Sequence, residues 1–178
     1  MEVIMWSGEN PMSKIIFLDC DGVLNSEEVA FKIRIEGINS NGYGGFFQEP
    51  TEPTHANVCF GQELVDNLKE IVEKTGAKIV ISSTWRVTHR WQTFPKMLAI
   101  YGFDNAEVIG ATPKLPTKRG YEIQQWLKEH PEVTNYVILD DDTDMLKEQS
   151  ANFVKTSMYR GLSKEDAEKA IKILNGEV

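Results

Sequence analysis

The sequence predicts an α/β fold, a three-layer sandwich around a central parallel sheet, on three observations. Short apolar runs recur as "KIIFLD" (14–19), "AKIVIS" (77–82) and "NYVILD" (135–140). Strands buried on both faces read this way, because helices cover each side of a parallel sheet. Segments of helical period separate and follow these runs. Each run also ends in polar residues, and in an open parallel sheet such ends gather on one rim where ligands bind.

Residues 1–13 read as an N-terminal extension and 14–178 as a single domain, a length suited to one core. The opening "MEVIMWSGENPMSK" lacks the basic and long apolar regions of a secretory signal. After the first strand comes a lid-like insertion at about 26–60. Its part from 36 to 60 holds four glycines and two prolines without a steady period, as functional loops often do. "GQELVDNLKEIVEKTG" (61–76) then places Leu64, Val65, Leu68, Ile71 and Val72 on one helical face, with Gly76 as a stop. The strand 77–82 follows. "TKRGYEIQQWLKEH" (117–130) reads as a helix with Ile123, Trp126 and Leu127 inward. After the strand 135–140, "NFVKT" (152–156) forms a fourth strand. "SKEDAEKAIKILNG" (163–176) closes the chain as a helix with a capping-box start and a glycine end.

The formal net charge of −8 disfavours a protein that coats nucleic acid over a broad face. It leaves room for a local basic pocket around one phosphate. No apolar run approaches the roughly 20 residues that span a bilayer. The two cysteines, Cys20 and Cys59, have no metal-knuckle spacing, and Cys20 sits between two aspartates. That usage points to a reducing, cytoplasmic setting.

The strand ends carry the chemistry. In "DCDGVLN", Asp19 and Asp21 are spaced i, i+2, so an extended chain projects both to one side while Cys20 turns away. One carboxylate can remain ionised as nucleophile or ligand while the other works as acid and base. A simpler reading, an aspartate capping a turn, suits one such residue better than a pair. Gly22 allows a sharp exit or a close approach by a ligand's oxygens. "LDDDTD" sets Asp140, Asp141, Asp142 and Asp144 within five positions. At 4 Å two unit charges repel by about 4 kcal/mol at an effective dielectric of 20. A divalent cation relieves this, and all-oxygen ligation suits Mg²⁺; a solvated acidic turn is the plainer alternative. "ISSTWR" offers hydroxyls from Ser82, Ser83 and Thr84 plus the Arg86 guanidinium, all able to donate to phosphate oxygens. Lys118 and Arg119 open a helix, where a cation is disfavoured by the dipole unless an anion joins it.

In this order the motifs resemble the haloacid dehalogenase-like (HAD) superfamily of phosphotransferases, over roughly residues 14–162. The resemblance implies a Rossmann-like sheet and a Mg²⁺-dependent phosphomonoester hydrolase. Asp19 would be the nucleophile that forms an aspartyl-phosphate, and Asp21 the general acid and base. Mg²⁺ would be held by Asp19, the Asp21 backbone carbonyl and Asp140, with Asp141 or Asp144 behind. Ser82 would bond the transferring phosphoryl group, with Lys118 or Arg119 offsetting its charge. Gly22, Asn25, Ser83 and Arg86 would border the substrate. The doubled serine and the adjacent cations leave both of those choices open. The insertion is short for a full cap, so the implied substrates include nucleic-acid ends and phosphoproteins beside nucleotides and other small phosphoesters. The "SSTWR" form is also similar to phosphatase-like modules of nucleic-acid repair proteins. In "STWRVTHRWQTF", Trp85, Trp91, Arg86, His89 and Arg90 could hold a strand end by stacking and charge. Core tryptophans and solvated cations are the simpler reading. A non-catalytic binding or scaffold module of the same fold is the functional alternative.

Overall fold

The computed structural model describes residues 13–35 and 58–177. The 1–13 extension (save Ser13) and the part of the expected lid at 36–57 lie outside the described residues. Five strands form one all-parallel sheet: β1 (Ser13–Leu18), β2 (Lys78–Ile81), β3 (Val108–Ala111), β4 (Val133–Asp140) and β5 (Phe153–Lys155), in the order β3-β2-β1-β4-β5. The helices are α1 (Glu27–Ile35), α2 (Gln62–Thr75), α3 (Phe94–Ala99), α4 (Arg119–Glu129) and α5 (Lys164–Asn175), with short 3-10 turns at Thr84–Val87, Trp91–Thr93 and Lys147–Asn152.

Alternation along the strands assigns the layers. Ile16, Leu18, Ile79, Ile81, Val137 and Leu139 face the larger core, built with α2, α3 and α5. Ile15, Phe17, Val80 and Ile138 face the opposite side and pack on Ile123 and Trp126 of α4. All ten of these strand residues are fully buried, as a sheet with helices on both faces requires. Phe17 meets Trp126 edge-on, with ring centroids 5.4 Å apart.

The helix ends obey the expected signals. Gly76 takes the left-handed conformation (φ 67°) and donates its N–H to the Val72 carbonyl. Ser163 and Asp166 form a reciprocal capping box, and Gly176 closes α5 at φ 70°. Two elements depart from the sequence reading. β3 carries no strong apolar run and has half-exposed Ile109 on the edge of the sheet. Residues 27–35, expected within the lid, form a helix whose start is held by Glu27 and Glu28 N–H groups on the Met158 and Tyr159 carbonyls.

Candidate active site

The pleat decides which side chains meet. Phe17 is the register partner of both Val80 and Ile138 on the α4 face. Two residues beyond each stand Asp19, Ser82 and Asp140. The ladder continues that far, with the Ser82 N–H donating to the Leu18 carbonyl (2.9 Å) and the Asp19 N–H to the Leu139 carbonyl (3.0 Å). Side chains repeat on every second residue of a strand. The three therefore project toward the first turn of α4, where Arg119 stands.

Arg119 joins two of them. Its Nη1 lies 2.8 Å from Asp19 Oδ2 and 2.5 Å from Asp140 Oδ2. The other oxygen of Asp19 accepts the Cys20 N–H at 2.8 Å, and that of Asp140 accepts the Asp142 N–H at 2.9 Å. Burial pulls the Arg119 guanidinium down, but Asp19 and Asp140 outweigh it and hold the charge firmly in place. Asp140 is fully buried, and burial together with the Asp19 charge pushes its carboxyl up to about 7. Asp141 is raised for the same two reasons.

Asp19, Asp140 and Asp141 each offer a carboxylate oxygen, all within 4.8 Å of one another. Three acidic groups face one guanidinium, and the ordinary relief for such a surplus is a cation bound through oxygen. The donor set fits a metal ion. Gly22 makes the arrangement possible: it has φ 68°, and a Cβ on it would lie 2.5 Å from Asp141 Cγ. The sequence expected close approach at Gly22, and the approaching group is a carboxylate of the chain itself.

Asp21 is not one of the three grouped carboxylates and has donors of its own. β1 ends at Leu18, before the spacing of an extended strand can act on both residues. Asp21 Oδ1 accepts the Asn25 Nδ2 amide at 2.8 Å and Oδ2 the Trp85 indole N–H at 3.0 Å. The Asn25 oxygen accepts in turn from the Gly22 N–H (3.3 Å). Cys20 turns into the larger core, fully buried, where burial and then Asp19 push its thiol well up.

The structure also separates the two ambiguous pairs. Ser82 Oγ is buried without a hydrogen-bond partner, whereas Ser83 Oγ caps the next turn by accepting the Trp85 N–H at 3.2 Å. Lys118 is the exposed N-cap of α4, and Arg119 is the cation at the carboxylates. Asp144 stands outside the three-carboxylate group. Its Oδ2 accepts the Arg119 N–H at 2.9 Å and so caps the first turn of α4.

Arg86, expected to border the substrate, lines the pocket beside the carboxylates and is also tied into the protein. It donates to the carbonyls of Ser82 (2.8 Å), Ser83 (2.6 Å) and Thr112 (3.0 Å) and pairs with buried Glu122 at 2.5 Å. Burial lowers its guanidinium despite the opposing pull of Glu122. Trp91 packs partly buried against the larger core, and His89 is buried under Trp85, ring centroids 5.4 Å apart. Beside the carboxylates opens a pocket of about 610 Å³, whose walls include Asp21, Trp85, Lys114, Thr117, Arg119 and Asp144.

The family model for the HAD domain in Swiss Army Knife RNA repair proteins matches residues 15–167. The chain belongs to this family. No significant match occurs among curated proteins or among solved structures. HAD domains are generally hydrolytic, and this chain carries an acidic cluster at the carboxyl ends of β1 and β4. No helix among the described residues is long and apolar enough to cross a membrane.

Three members of the HAD site escape the sequence reading. Glu122 looks like one of two glutamates on α4, yet its Oε1 accepts the Leu115 N–H while Oε2 pairs with Arg86. Trp85 reads from the sequence as a stacking or core residue, and nothing local marks its hydrogen bond to Asp21, 64 positions away. Gly120 lets α4 press against the loop after β4: a Cβ there would lie 2.5 Å from the Leu146 nitrogen. Its glycine in the first turn of a helix was the only available signal.

Proposed function

We propose that this HAD domain is a Mg²⁺-dependent phosphomonoesterase working through an aspartyl-phosphate on Asp19. The observation that carries this reading is the pair of buried carboxylates Asp19 and Asp140, both joined to Arg119, with half-buried Asp141 grouped beside them next to a pocket that Asp21 lines. Mg²⁺ would be held by Asp19 and Asp140, with Asp141 close by, and when bound it would offset phosphate charge.

The chain's own groups account for the remaining chemistry. Asp19 attacks phosphorus in line, and the bond from phosphorus to the leaving oxygen breaks with its electron pair going to that oxygen. Asp21 gives its proton to the leaving oxygen, then takes one from the water that cleaves the Asp19–phosphorus bond. Arg119 offers positive charge to the phosphoryl oxygens, and Ser82 Oγ, otherwise without a partner, donates to one of them. Ser83, Arg86 and Asn25 hold the elements that carry these groups.

The family's name, with its RNA repair proteins, favours a phosphorylated RNA end over a free nucleotide or a phosphoprotein. Lys114 and Thr117 on the pocket wall suit an anionic, hydroxyl-rich leaving group. The test is phosphate release from p-nitrophenyl phosphate, nucleotides, phosphopeptides and 3′- or 5′-phosphorylated oligoribonucleotides. Turnover is expected with Mg²⁺, falling to background with chelator and in Asp19→Asn. A wild type inert on the whole panel with Mg²⁺ present would leave a binding or scaffold role instead.

A further inference from the structure

We propose that Trp85 is a positioning residue for the acid–base step, its indole N–H and the Asn25 amide together holding the Asp21 carboxylate toward the pocket. The inference rests on the phosphatase reading of the site and goes beyond it, because Trp85 neither bears a proton for the reaction nor belongs to the carboxylate group.

Each Asp21 oxygen has its own donor. Asn25 Nδ2 reaches Oδ1 at 2.8 Å and Trp85 Nε1 reaches Oδ2 at 3.0 Å. One donor leaves a carboxylate free to turn about its Cβ–Cγ bond, and two donors on opposite oxygens fix its plane. Each oxygen keeps a further lone-pair direction for the proton in transit. The donors are themselves held. Ser83 caps the turn that begins at Thr84, and the Trp85 ring packs against both Phe60 and His89, with centroids 5.6 Å and 5.4 Å away. Asp21 and Trp85 both line the 610 Å³ pocket, so the aimed carboxylate and its donor face the same space. Packing alone would be served equally by a phenylalanine, and the indole N–H is what a phenylalanine lacks.

The consequence depends on the leaving group. A nitrophenolate departs without a proton, whereas an alkoxide needs one, so correct aim of Asp21 matters only for the second. Trp85→Phe keeps an aromatic ring against Phe60 and His89 and removes the donor. The readout is kcat/KM, which covers steps up to formation of the aspartyl-phosphate and excludes its later hydrolysis. For a nucleoside 3′-monophosphate the expected loss is about 10- to 100-fold, and for p-nitrophenyl phosphate less than about threefold. In an Asp21→Asn background the same substitution should cost almost nothing further, because the two residues act as one unit. Equal losses on both substrates, or additive losses in the double variant, would overturn the proposal. Should Trp85→Phe fail to fold, the wild-type Trp85 indole N–H resonance gives a second test. It should shift in Asp21→Asn, and an unmoved resonance also overturns the proposal. A wild type inert on every phosphoester would overturn the phosphatase reading and this role with it, and the indole resonance would still report whether the contact exists.

Discussion

Gly22 and Arg119 show how closely single residues set the carboxylate group. Gly22 has φ 68°, where a side chain costs about 1–2 kcal/mol, and its missing Cβ leaves the space that Asp141 fills. Gly22→Ala should therefore lower stability by more than that strain alone, and activity should fall with it as Asp141 is displaced. Urea denaturation and the phosphatase assay read the two effects. Arg119 is the cation joined to buried Asp19 and Asp140. Arg119→Met leaves those carboxylates without it, and breaking such a pair costs about 3–5 kcal/mol. Part of the loss should return on adding Mg²⁺, since a bound cation stabilises the folded state. A urea midpoint in Arg119→Met that is equally low with and without Mg²⁺ would argue against a metal at these carboxylates.

At the scale of elements, α4 is the piece that completes the site. Its first turn carries Arg119, is capped by Asp144, and passes within reach of Leu146 only because residue 120 is glycine. In an ordinary helix, glycine to alanine gains about 1 kcal/mol. Here Gly120→Ala should reverse the sign and lower the thermal midpoint, because the new Cβ meets backbone at 2.5 Å. One turn along, Glu122 binds Arg86, which gathers the carbonyls beyond β2 and β3. Glu122→Ala strands a buried guanidinium and should cost about 3–5 kcal/mol in urea denaturation. α4 itself was readable from its inward Ile123 and Trp126. The Arg86–Glu122 pair was not, because 36 positions separate the partners and neither residue marks the other locally.

Across the whole molecule, the chain that returns to α2 is fastened to the core by Tyr101. Its hydroxyl donates to the Val58 carbonyl and accepts the Phe60 N–H at 3.0 Å, and Phe60 in turn packs on Trp85. Burial pushes the Tyr101 phenol from 10.0 up to about 12. Its contribution to stability is thus fully present below pH 10 and is lost as pH rises toward 12, where the unfolded chain ionises first. Tyr101→Phe should cost about 1–3 kcal/mol at neutral pH through the unpaired backbone groups, and should show a shallower alkaline fall in its thermal midpoint. The three-layer sheet, the inward faces of α2 and α4, and the meeting of the polar strand ends on one rim followed from the sequence alone, with Ser82 and Ser83 still undivided. Strand alternation and helical period are local rules, and they extend unbroken to those strand ends. β3 was missed because a short edge strand needs little apolar sequence. Only the tertiary structure decided that Asp21 takes Asn25 and Trp85 as its donors, that Arg119 rather than Lys118 meets the carboxylates, and that Arg86 pairs with Glu122. Those choices depend on which distant donor lies within about 3 Å of a buried charge, and no spacing along the chain encodes that distance.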